Sequence, residues 1–365
     1  MASERTPVSP CIRALGPWSK AALAAVGLIL AGSPVGSQTP FDAAGVDVAA
    51  RALPQLRSLL VSRRGQVMVE RYYGGARADR PANVKSASKS VISALVGIAV
   101  ERGLVKGVRE PIATYFPELR AAKDPARQGI TVEDLLTMRS GLASTSGRRY
   151  GAWVTSRNWV EHVLSRPMTA APGATMDYST GNTHLLSAIL TKATGRTTWS
   201  FANEVLAKPL GFRLPPWPRD PQGIYFGGND MLMTSRQLLA FAELYLNGGR
   251  AGGQQVLPAA WVRKSCEGRP RELPSWARGR GPGDRPDPLR DRKYGYGWWV
   301  DDLAGHETCF AWGYGGQYAF VVPDLQLVIV TTSSPDVSEE RRDHRRQLID
   351  LVTRLVVEPL ASLRD

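Results

Sequence analysis

The sequence predicts an α+β domain in which one antiparallel sheet is built from both ends of the chain, with flanking helices and a helical region inserted between its halves. Strand patterns occur near the amino end and again near the carboxyl end of the 365 residues, and helical patterns fill the middle. With 43% hydrophobic residues, the chain can bury a large core. We expect sheet regions at about 55–110 and 290–365, a helical region at about 111–266, and a cleft where they meet.

The amino-terminal segment has the pattern of an export signal. A basic region precedes a short apolar run and then small residues at a cleavage site: Arg5, Arg13 and Lys20, then 21–32, then Val35-Gly36-Ser37. We interpret residues 1–37 as a signal peptide and expect residues 38–365 to be secreted or periplasmic, with an uncleaved anchor or a buried first helix as the alternative. The run is shorter than the about 20 apolar residues of a membrane span. We therefore expect no stable membrane span after signal removal.

The first predicted elements are a hairpin and a core helix. Two β-rich runs between Ser58 and Tyr73 are separated by Arg63-Arg64-Gly65-Gln66, which is typical of a hairpin. The run from Asn83 to Val100 is apolar on most faces and predicts a helix inside the core. Arg102-Gly103 ends it with a basic last turn and a glycine.

Three helical patterns follow, and each has a threonine at the expected cap position. They are 131–142, 183–195 and 234–249, with Thr131, Thr183 and Thr234 as the caps. Residues 267–293 are rich in Pro, Gly and Arg, which predicts a long exposed loop.

The carboxyl end returns to strand patterns. They cover 294–302, 309–322 and 325–333, with Pro323-Asp324 as the turn between the last two. An amphipathic pattern then predicts a final helix over about 338–363.

A serine and a lysine at the start of the core helix carry the candidate chemistry. Ser86 and Lys89 are three residues apart, so a helix places both side chains on one face. A serine hydroxyl needs a base to become nucleophilic, and a lysine is such a base when burial and the field of a helix amino terminus lower its pKa. Ser-x-x-Lys alone is a weak signal for a catalytic site, so the assignment depends on further motifs in the chain.

Five segments, in order, resemble the sequence blocks of serine hydrolases with the β-lactamase and penicillin-binding-protein fold. They are 86–103, 130–142, 172–182, 227–249 and 313–333. The resemblance spans about Leu59 to Ser333. The branch that the chain resembles most is that of class C β-lactamases, related esterases, D-aminopeptidases and 6-aminohexanoate-dimer hydrolases. It implies a β-lactamase/transpeptidase-like fold and a hydrolase that forms a covalent acyl-enzyme.

The resemblance also implies the roles of the first two motifs. Ser86 falls on the nucleophile and Lys89 on the base. The Tyr-x-Asn motif falls on Tyr178-Ser179-Thr180, which makes Tyr178 the phenol that shares a proton with Lys89 and protonates the leaving group. Thr180 departs from the expected asparagine, and Asn182 is the candidate to replace that amide.

The third motif, Lys-Thr-Gly in β-lactamases, falls on Tyr314-Gly315-Gly316 as a substrate-binding strand. The backbone N–H groups of Ser86 and Gln317 are the expected oxyanion hole. Tyr314 replaces the lysine that binds a substrate carboxylate, so we expect an ester, amide or short peptide substrate without that carboxylate, or else a charge supplied by Arg148 or Arg149. Carboxylesterase or amidase activity is favoured, with β-lactamase or D-alanyl peptidase activity as the alternative.

The remaining composition excludes other classes of function. The net charge of +13 is scattered without a basic block or a nucleic-acid-binding motif, so we expect no nucleic-acid partner. The four histidines have no metal-ligand spacing, and we expect no metal and no cofactor. A non-catalytic module that binds cell-wall fragments or a protein partner through the same cleft is the alternative of another class.

Two cysteines and three tryptophans leave alternatives open. Cys266 and Cys309 are expected to be buried free thiols, with a disulfide between them as the alternative. The tryptophans near the motifs are expected in the core, with an acyl pocket as the alternative: Trp153, Trp299 and Trp312.

Overall fold

The structure, a computed structural model, describes residues 41–122, 124–270, 292–335 and 341–363. The predicted signal peptide and most of the predicted 267–293 loop lie outside these residues. The α-helices are α1 Ala43–Arg51, α2 Ser88–Glu101, α3 Val132–Leu136, α4 Tyr150–Val154, α5 Trp159–Leu164, α6 Thr180–Thr194, α7 Thr198–Ala202, α8 Ser235–Leu246, α9 Ala259–Cys266, α10 Arg341–Leu351 and α11 Glu358–Ser362. The strands are β1 Leu56–Arg63, β2 Gln66–Tyr72, β3 Ala82–Asn83, β4 Leu232–Met233, β5 Arg250–Ala251, β6 Gln254–Gln255, β7 Lys293–Tyr294, β8 Trp299–Leu303, β9 His306–Gly313, β10 Gln317–Val322 and β11 Leu327–Ser333.

One antiparallel sheet joins the two ends of the chain, as the sequence predicts. Its seven strands run in the order β2-β1-β11-β10-β9-β8-β7. The pairing of β1 with β11 closes the fold, with Leu60 opposite Val330. Because β11 pairs on one side with β1 and on the other with β10, the amino-terminal hairpin extends the carboxyl-terminal meander. The predicted α+β fold with an inserted helical region is confirmed.

The sheet separates two hydrophobic cores, since side chains alternate across a strand. Ala319 and Val321 of β10 belong to a core that includes α2, α6 and α8, which we call the helical-side core. Phe320 and Val322 belong to a core that includes α1, α10 and α11, which we call the terminal-side core. A π-helical segment, Val352–Val357, joins α10 to α11 and lies in the terminal-side core.

The predicted helix starts are correct at two of three threonines. Thr131 and Thr234 each cap a helix through a reciprocal capping box. Thr183 is not a cap, because α6 begins three residues earlier, at Thr180. Side chains from a neighbouring segment accept the first α6 N–H groups: the Ser146 hydroxyl takes that of Thr180 at 2.8 Å. The helix predicted over 131–142 is also shorter in the structure, where it ends at Leu136.

Two predicted strands are interrupted by turns. The pattern 309–322 is a hairpin, because Gly315 and Gly316 adopt positive φ values of 86° and 103° and turn the chain between β9 and β10. The pattern 294–302 is broken at Gly297, whose φ is 77°. Glycine at these positions permits the chain to reverse direction, although the surrounding β-rich composition is typical of a continuous strand.

Cys266 and Cys309 form a disulfide, so the expectation of two free thiols is wrong. The last residue of α9 lies against β9 with a Cα–Cα distance of 5.4 Å, within the range that a disulfide requires. Sequence separation alone did not reveal this proximity. Among the described residues, no helix is both long enough and apolar enough to cross a bilayer.

Candidate active site

The nucleophile candidate lies in a tight turn that leads into α2. Lys85–Ala87 form a 3₁₀ turn directly before α2, and Ser86 is its middle residue. From Ser88 to Ala99 every residue of α2 is buried, so the helix is fixed in the helical-side core. Ser86 itself is only partly buried. The apolar helix thus holds one accessible hydroxyl at its amino end.

Lys89 is buried and touches that hydroxyl. Its side chain is 1% exposed, and its Nζ lies 3.0 Å from Ser86 Oγ, 3.2 Å from Thr180 Oγ1 and 2.5 Å from the Gly228 carbonyl oxygen. Burial lowers the pKa of Lys89 to about 7, and the nearby Asp230 carboxylate opposes this shift. A substantial fraction of the lysine is therefore neutral at neutral pH.

The three contacts of Lys89 suit a base. A neutral amine has two N–H donors and one lone pair, and the Gly228 carbonyl can only accept a hydrogen bond. When Thr180 Oγ1 accepts the second N–H, the lone pair is left for the Ser86 hydroxyl. In this arrangement the neutral amine can accept a proton from the Ser86 hydroxyl.

Tyr178 joins the same group from the segment before α6. Its ring centroid lies 5.1 Å from Lys89 Nζ. Burial raises the pKa of Tyr178 to about 12, and a hydrogen bond with Ser86 opposes the rise. The ring stacks on Trp299 at 5.5 Å between centroids and meets Tyr294 edge-on at 6.1 Å. The phenol is therefore protonated at neutral pH and held in one orientation.

Thr180 supplies a hydroxyl where the resembled family has an amide. Thr180 Oγ1 lies 2.9 Å from Ser146 Oγ as well as near Lys89. Asn182 does not replace the missing amide, because it is 1% exposed and its carbonyl accepts a hydrogen bond from Ser140 at 3.1 Å. In the second motif, the Thr180 hydroxyl therefore contacts Lys89, and the Ser146 hydroxyl in turn contacts Thr180.

The third motif lies differently from the prediction. Tyr314, Gly315 and Gly316 form the β9–β10 turn rather than a strand, and the side of this turn at Gly316 faces Ser333 and His344. Gln317 is fully buried, and its side-chain amide donates to the Ser333 carbonyl at 2.7 Å. A residue without exposed surface is poorly placed to donate to a substrate oxygen, so the structure disfavours Gln317 as the oxyanion donor.

Gly313, the last residue of β9, approaches the nucleophile turn most closely. A methyl group added at Gly313 would lie 2.2 Å from the Val84 carbonyl oxygen, so only glycine permits this contact of strand and turn. The next residue, Tyr314, is 37% exposed. The sequence signal was present in Trp312-Gly313, two residues before the motif that was assigned.

The other predicted lining residues divide into core and surface. Trp153 is fully buried and packs on Trp159 and Phe226, so it is a core residue. Trp312 is partly buried and meets Trp299 at 5.6 Å. Arg148 and Arg149 are exposed, two and three residues beyond Ser146. The tryptophans that surround the site are therefore those of β8 and β9.

The sequence analysis placed 227–230 in a family-like block but assigned none of these residues to the site. Gly228 contributes the carbonyl that holds Lys89, and the Asp230 carboxylate acts on the charge of Lys89. Within the described residues, no cluster of His, Cys, Asp and Glu could hold a metal ion. The arrangement as a whole can activate the partly exposed Ser86 hydroxyl and pass on its proton.

Comparison with known proteins gives matches over most of the chain. A family model described as Beta-lactamase matches residues 56–354. The 6-aminohexanoate-dimer hydrolase of Paenarthrobacter ureafaciens is 25% identical over 365 residues, covering 91% of this chain and 89% of that protein. Esterase EstB of Burkholderia gladioli is 28% identical over 176 residues, covering 42% of this chain and 45% of that protein.

Solved structures share the fold. EstCE1, described as a hydrolase with promiscuous acyltransferase activity, is similar with a TM-score of 0.64 and 19% identity, covering 85% of this chain and 97% of that chain. A penicillin-binding protein homologue from Caulobacter crescentus gives a TM-score of 0.64 at 16% identity, covering 87% of this chain and 98% of that chain.

Proposed function

The chain belongs to the beta-lactamase family, whose model matches residues 56–354, and from this premise we propose that it hydrolyses an ester or amide bond through an acyl-enzyme on Ser86. One observation carries the proposal: a lysine that is 1% exposed places its Nζ 3.0 Å from the Ser86 hydroxyl. A buried lysine is destabilising unless it has a function or a partner for its charge. Here one of the hydrogen-bond partners of Lys89 is the Ser86 hydroxyl, which the reaction needs as its nucleophile.

Acylation uses all three side chains. Ser86 Oγ attacks the substrate carbonyl while its proton passes to Lys89 Nζ. Tyr178, protonated because burial raises its pKa to about 12, donates its proton to the leaving oxygen or nitrogen and takes the proton held by Lys89. The acyl group remains on Ser86, and an alcohol or amine leaves.

Deacylation runs through the same groups. Water attacks the acyl carbonyl and gives its proton to Tyr178 as Tyr178 passes its own proton to neutral Lys89, and Lys89 then returns a proton to Ser86 Oγ as the acid leaves. We assign the oxyanion hole to the backbone N–H groups of Ser86 and Tyr314. The contact of Gly313 with the Val84 carbonyl supports this change from Gln317, because it brings the end of β9 to the nucleophile turn.

The first test is labelling by a fluorophosphonate, read by intact mass. The parent should gain one adduct that maps to Ser86, and Ser86→Ala should gain none while retaining the far-UV circular dichroism of the parent. Ser88→Ala is the matched control, because this buried serine lies two residues away and its hydroxyl has no hydrogen-bond partner within the described part of the chain. It should label like the parent. A folded parent that gains no adduct would favour the non-catalytic binding module.

The substrate class follows from the missing lysine of the third motif. We propose small esters or amides, because Tyr314 offers no cation to a β-lactam or peptide carboxylate. Initial rates with short-chain aryl esters, linear amides, a chromogenic cephalosporin and D-alanyl peptides separate the subclasses. A cephalosporin or D-alanyl peptide turned over faster than every ester and amide would overturn this part of the proposal.

We also propose that the protein is exported. The pattern in residues 1–37 motivates this, and the Cys266–Cys309 disulfide agrees with it, because disulfides persist mainly in oxidising compartments. Expression of the full chain in a bacterium, followed by cell fractionation and intact mass, should find protein that begins at Gln38 outside the cytoplasm. Uncleaved protein in the cytoplasm would contradict it.

A further inference from the structure

We propose that Lys85, the residue before the nucleophile, is a positioning residue that pairs with Asp230 and so offsets the negative charge beside the base Lys89. This inference rests on the proposed function. Lys85 is partly exposed, Lys89 is buried, and the Asp230 carboxylate acts on both. By pairing with that carboxylate, Lys85 limits how strongly it stabilises the charged form of Lys89.

The contact between Lys85 and Asp230 is fixed from several directions. Lys85 Nζ lies 3.0 Å from Asp230 Oδ1. The Asn83 side-chain amide donates to the same oxygen at 2.8 Å, and its carbonyl accepts the Lys85 N–H at 2.9 Å. One asparagine thus holds both members of the ion pair in register.

The backbone at both charged residues is in the left-handed region. Lys85 has φ 50° and Asp230 has φ 58°, a strained conformation that non-glycine residues adopt rarely. Such conformations occur where the surroundings determine them strongly, and they cluster at functional sites. Here they lie in the two segments that contact Lys89, and the ion pair joins them.

Main-chain contacts bring the two segments together independently of the charges. β3 pairs with β4, with Asn83 opposite Leu232, and the Val84 N–H donates to the Met231 carbonyl at 3.0 Å. The same loop presents the Gly228 carbonyl to Lys89. The segment 228–231 therefore contacts the nucleophile turn by its backbone and the base by a carbonyl.

The charge of Asp230 acts on Lys89 against the effect of burial. Burial lowers the pKa of Lys89, and the Asp230 carboxylate raises it. Lys85 and Asp230 side chains are 24% and 25% exposed, so solvent screens their charges only in part. The other titratable groups around the site are Tyr178, over whose ring Lys89 lies, and Tyr150, whose hydroxyl accepts from Asn229. Neither supplies a positive charge that could take the place of Lys85.

The test is the pH dependence of kcat/KM for an uncharged aryl ester, followed by acid release in a pH-stat. Activity requires neutral Lys89, so the acid limb of the profile reports that group in the free enzyme. Lys85→Met leaves Asp230 unopposed and should move the limb up by about 0.5 pH unit or more. Asp230→Asn should move it down. The double variant should return it towards the parent, and Lys85→Arg should retain the parent profile.

Lys264→Met is the matched control. Lys264 also pairs with a carboxylate, Glu267, at 2.7 Å, but lies exposed on α9. The Lys264→Met variant should therefore keep the acid limb of the kcat/KM profile at the pH of the parent. If Lys85→Met and Asp230→Asn lower kcat/KM equally at every pH, or move the limb in the same direction, charge compensation is wrong and the pair is only structural.

Fluorophosphonate labelling of the parent separates this outcome from failure of the proposed function. A parent that labels at Ser86 while Lys85→Met keeps the parent limb refutes only the role of Lys85. A parent that does not label refutes the hydrolase mechanism itself.

Discussion

The two cores on either side of the sheet differ in what they bury. The helical-side core surrounds buried polar groups, including Lys89, His184 and Asp220, whose last two side chains pair at 2.9 Å with no exposure. The terminal-side core packs α10, the π-helical segment and α11 through aliphatic side chains such as Leu348, Val356 and Leu360. The site lies where the two meet, with Lys89 from the first and Tyr178 packed against the second. The difference teaches that the helical side of the sheet holds, among its apolar residues, buried ionisable groups that cost stability unless they are paired.

Lys89→Met should have the largest effect and should separate activity from stability. Loss of the base is expected to lower kcat/KM by about a thousandfold or more. Burial lowers the pKa of Lys89 from 10.5 to about 7, so between these values the unfolded chain binds a proton that the folded chain does not. The parent therefore loses stability as pH falls from 10.5 to 7, and the variant should be more stable, most clearly at pH 7 and below.

Urea unfolding at pH 7 and at pH 10 measures this effect, with the exposed Lys208→Met as the control. A Lys89→Met variant that is less stable than the parent at both pH values would contradict the view that the site costs stability.

Equivalent leucine truncations sharpen the comparison of the two cores. Leu95→Ala in α2 and Leu360→Ala in α11 each remove a fully buried side chain and should lower the free energy of unfolding by about 2–5 kcal/mol. Only Leu95→Ala should also change kcat of the folded fraction, because α2 positions Ser86 and Lys89. Urea denaturation and active-site-titrated kcat give the two numbers. Equal losses of kcat in the two variants would remove the distinction.

The disulfide joins α9 to β9 covalently within the helical-side core. It closes a loop between residues that are 43 positions apart, and its loss should lower stability by about 2–4 kcal/mol. The Cys266→Ser/Cys309→Ser double variant should melt below the parent, and dithiothreitol should lower the Tm of the parent but not of the variant. An unchanged Tm in both would show that the bond does not constrain the fold.

The smallest expected effect concerns the hydroxyl that replaces the family's amide. Thr180→Val removes one of the three hydrogen-bond partners of Lys89 and should lower kcat/KM by about tenfold, the equivalent of one hydrogen bond. Thr183→Val is the matched control, because that buried hydroxyl has no hydrogen-bond partner among the residues that the structure describes. It should leave kcat/KM unchanged and keep or raise the Tm. If both variants behave alike, Thr180 does not orient the base.

The sequence predicted what depends on local spacing and on the order of blocks. The three-residue interval of Ser86 and Lys89 placed their side chains together even though Ser86 lies in a 3₁₀ turn, and the family resemblance is confirmed by the match over most of the chain. The roles of Tyr178 and the other site residues stay predictions, although the structure brings Tyr178 to Lys89.

What the sequence did not reveal depends on contacts between distant segments. Gly228 and Asp230 approach Lys89 from about 140 positions away, and no local pattern marks that approach. The third motif was predicted as a strand but forms the β9–β10 turn, and the run Gly313-Tyr314-Gly315-Gly316 permits more than one alignment to a Lys-Thr-Gly strand. The packing of Gly313 on the Val84 carbonyl favours an alignment at Gly313.

That packing also restricts how this enzyme can diverge. Position 314 is exposed and should accept other side chains, whereas position 313 has no room for a single additional carbon against a main-chain atom. Saturation of both codons followed by selection for ester turnover should return many residues at 314 and glycine alone at 313. Two neighbouring positions would then differ sharply in the substitutions they tolerate, because one faces solvent and the other a main-chain oxygen.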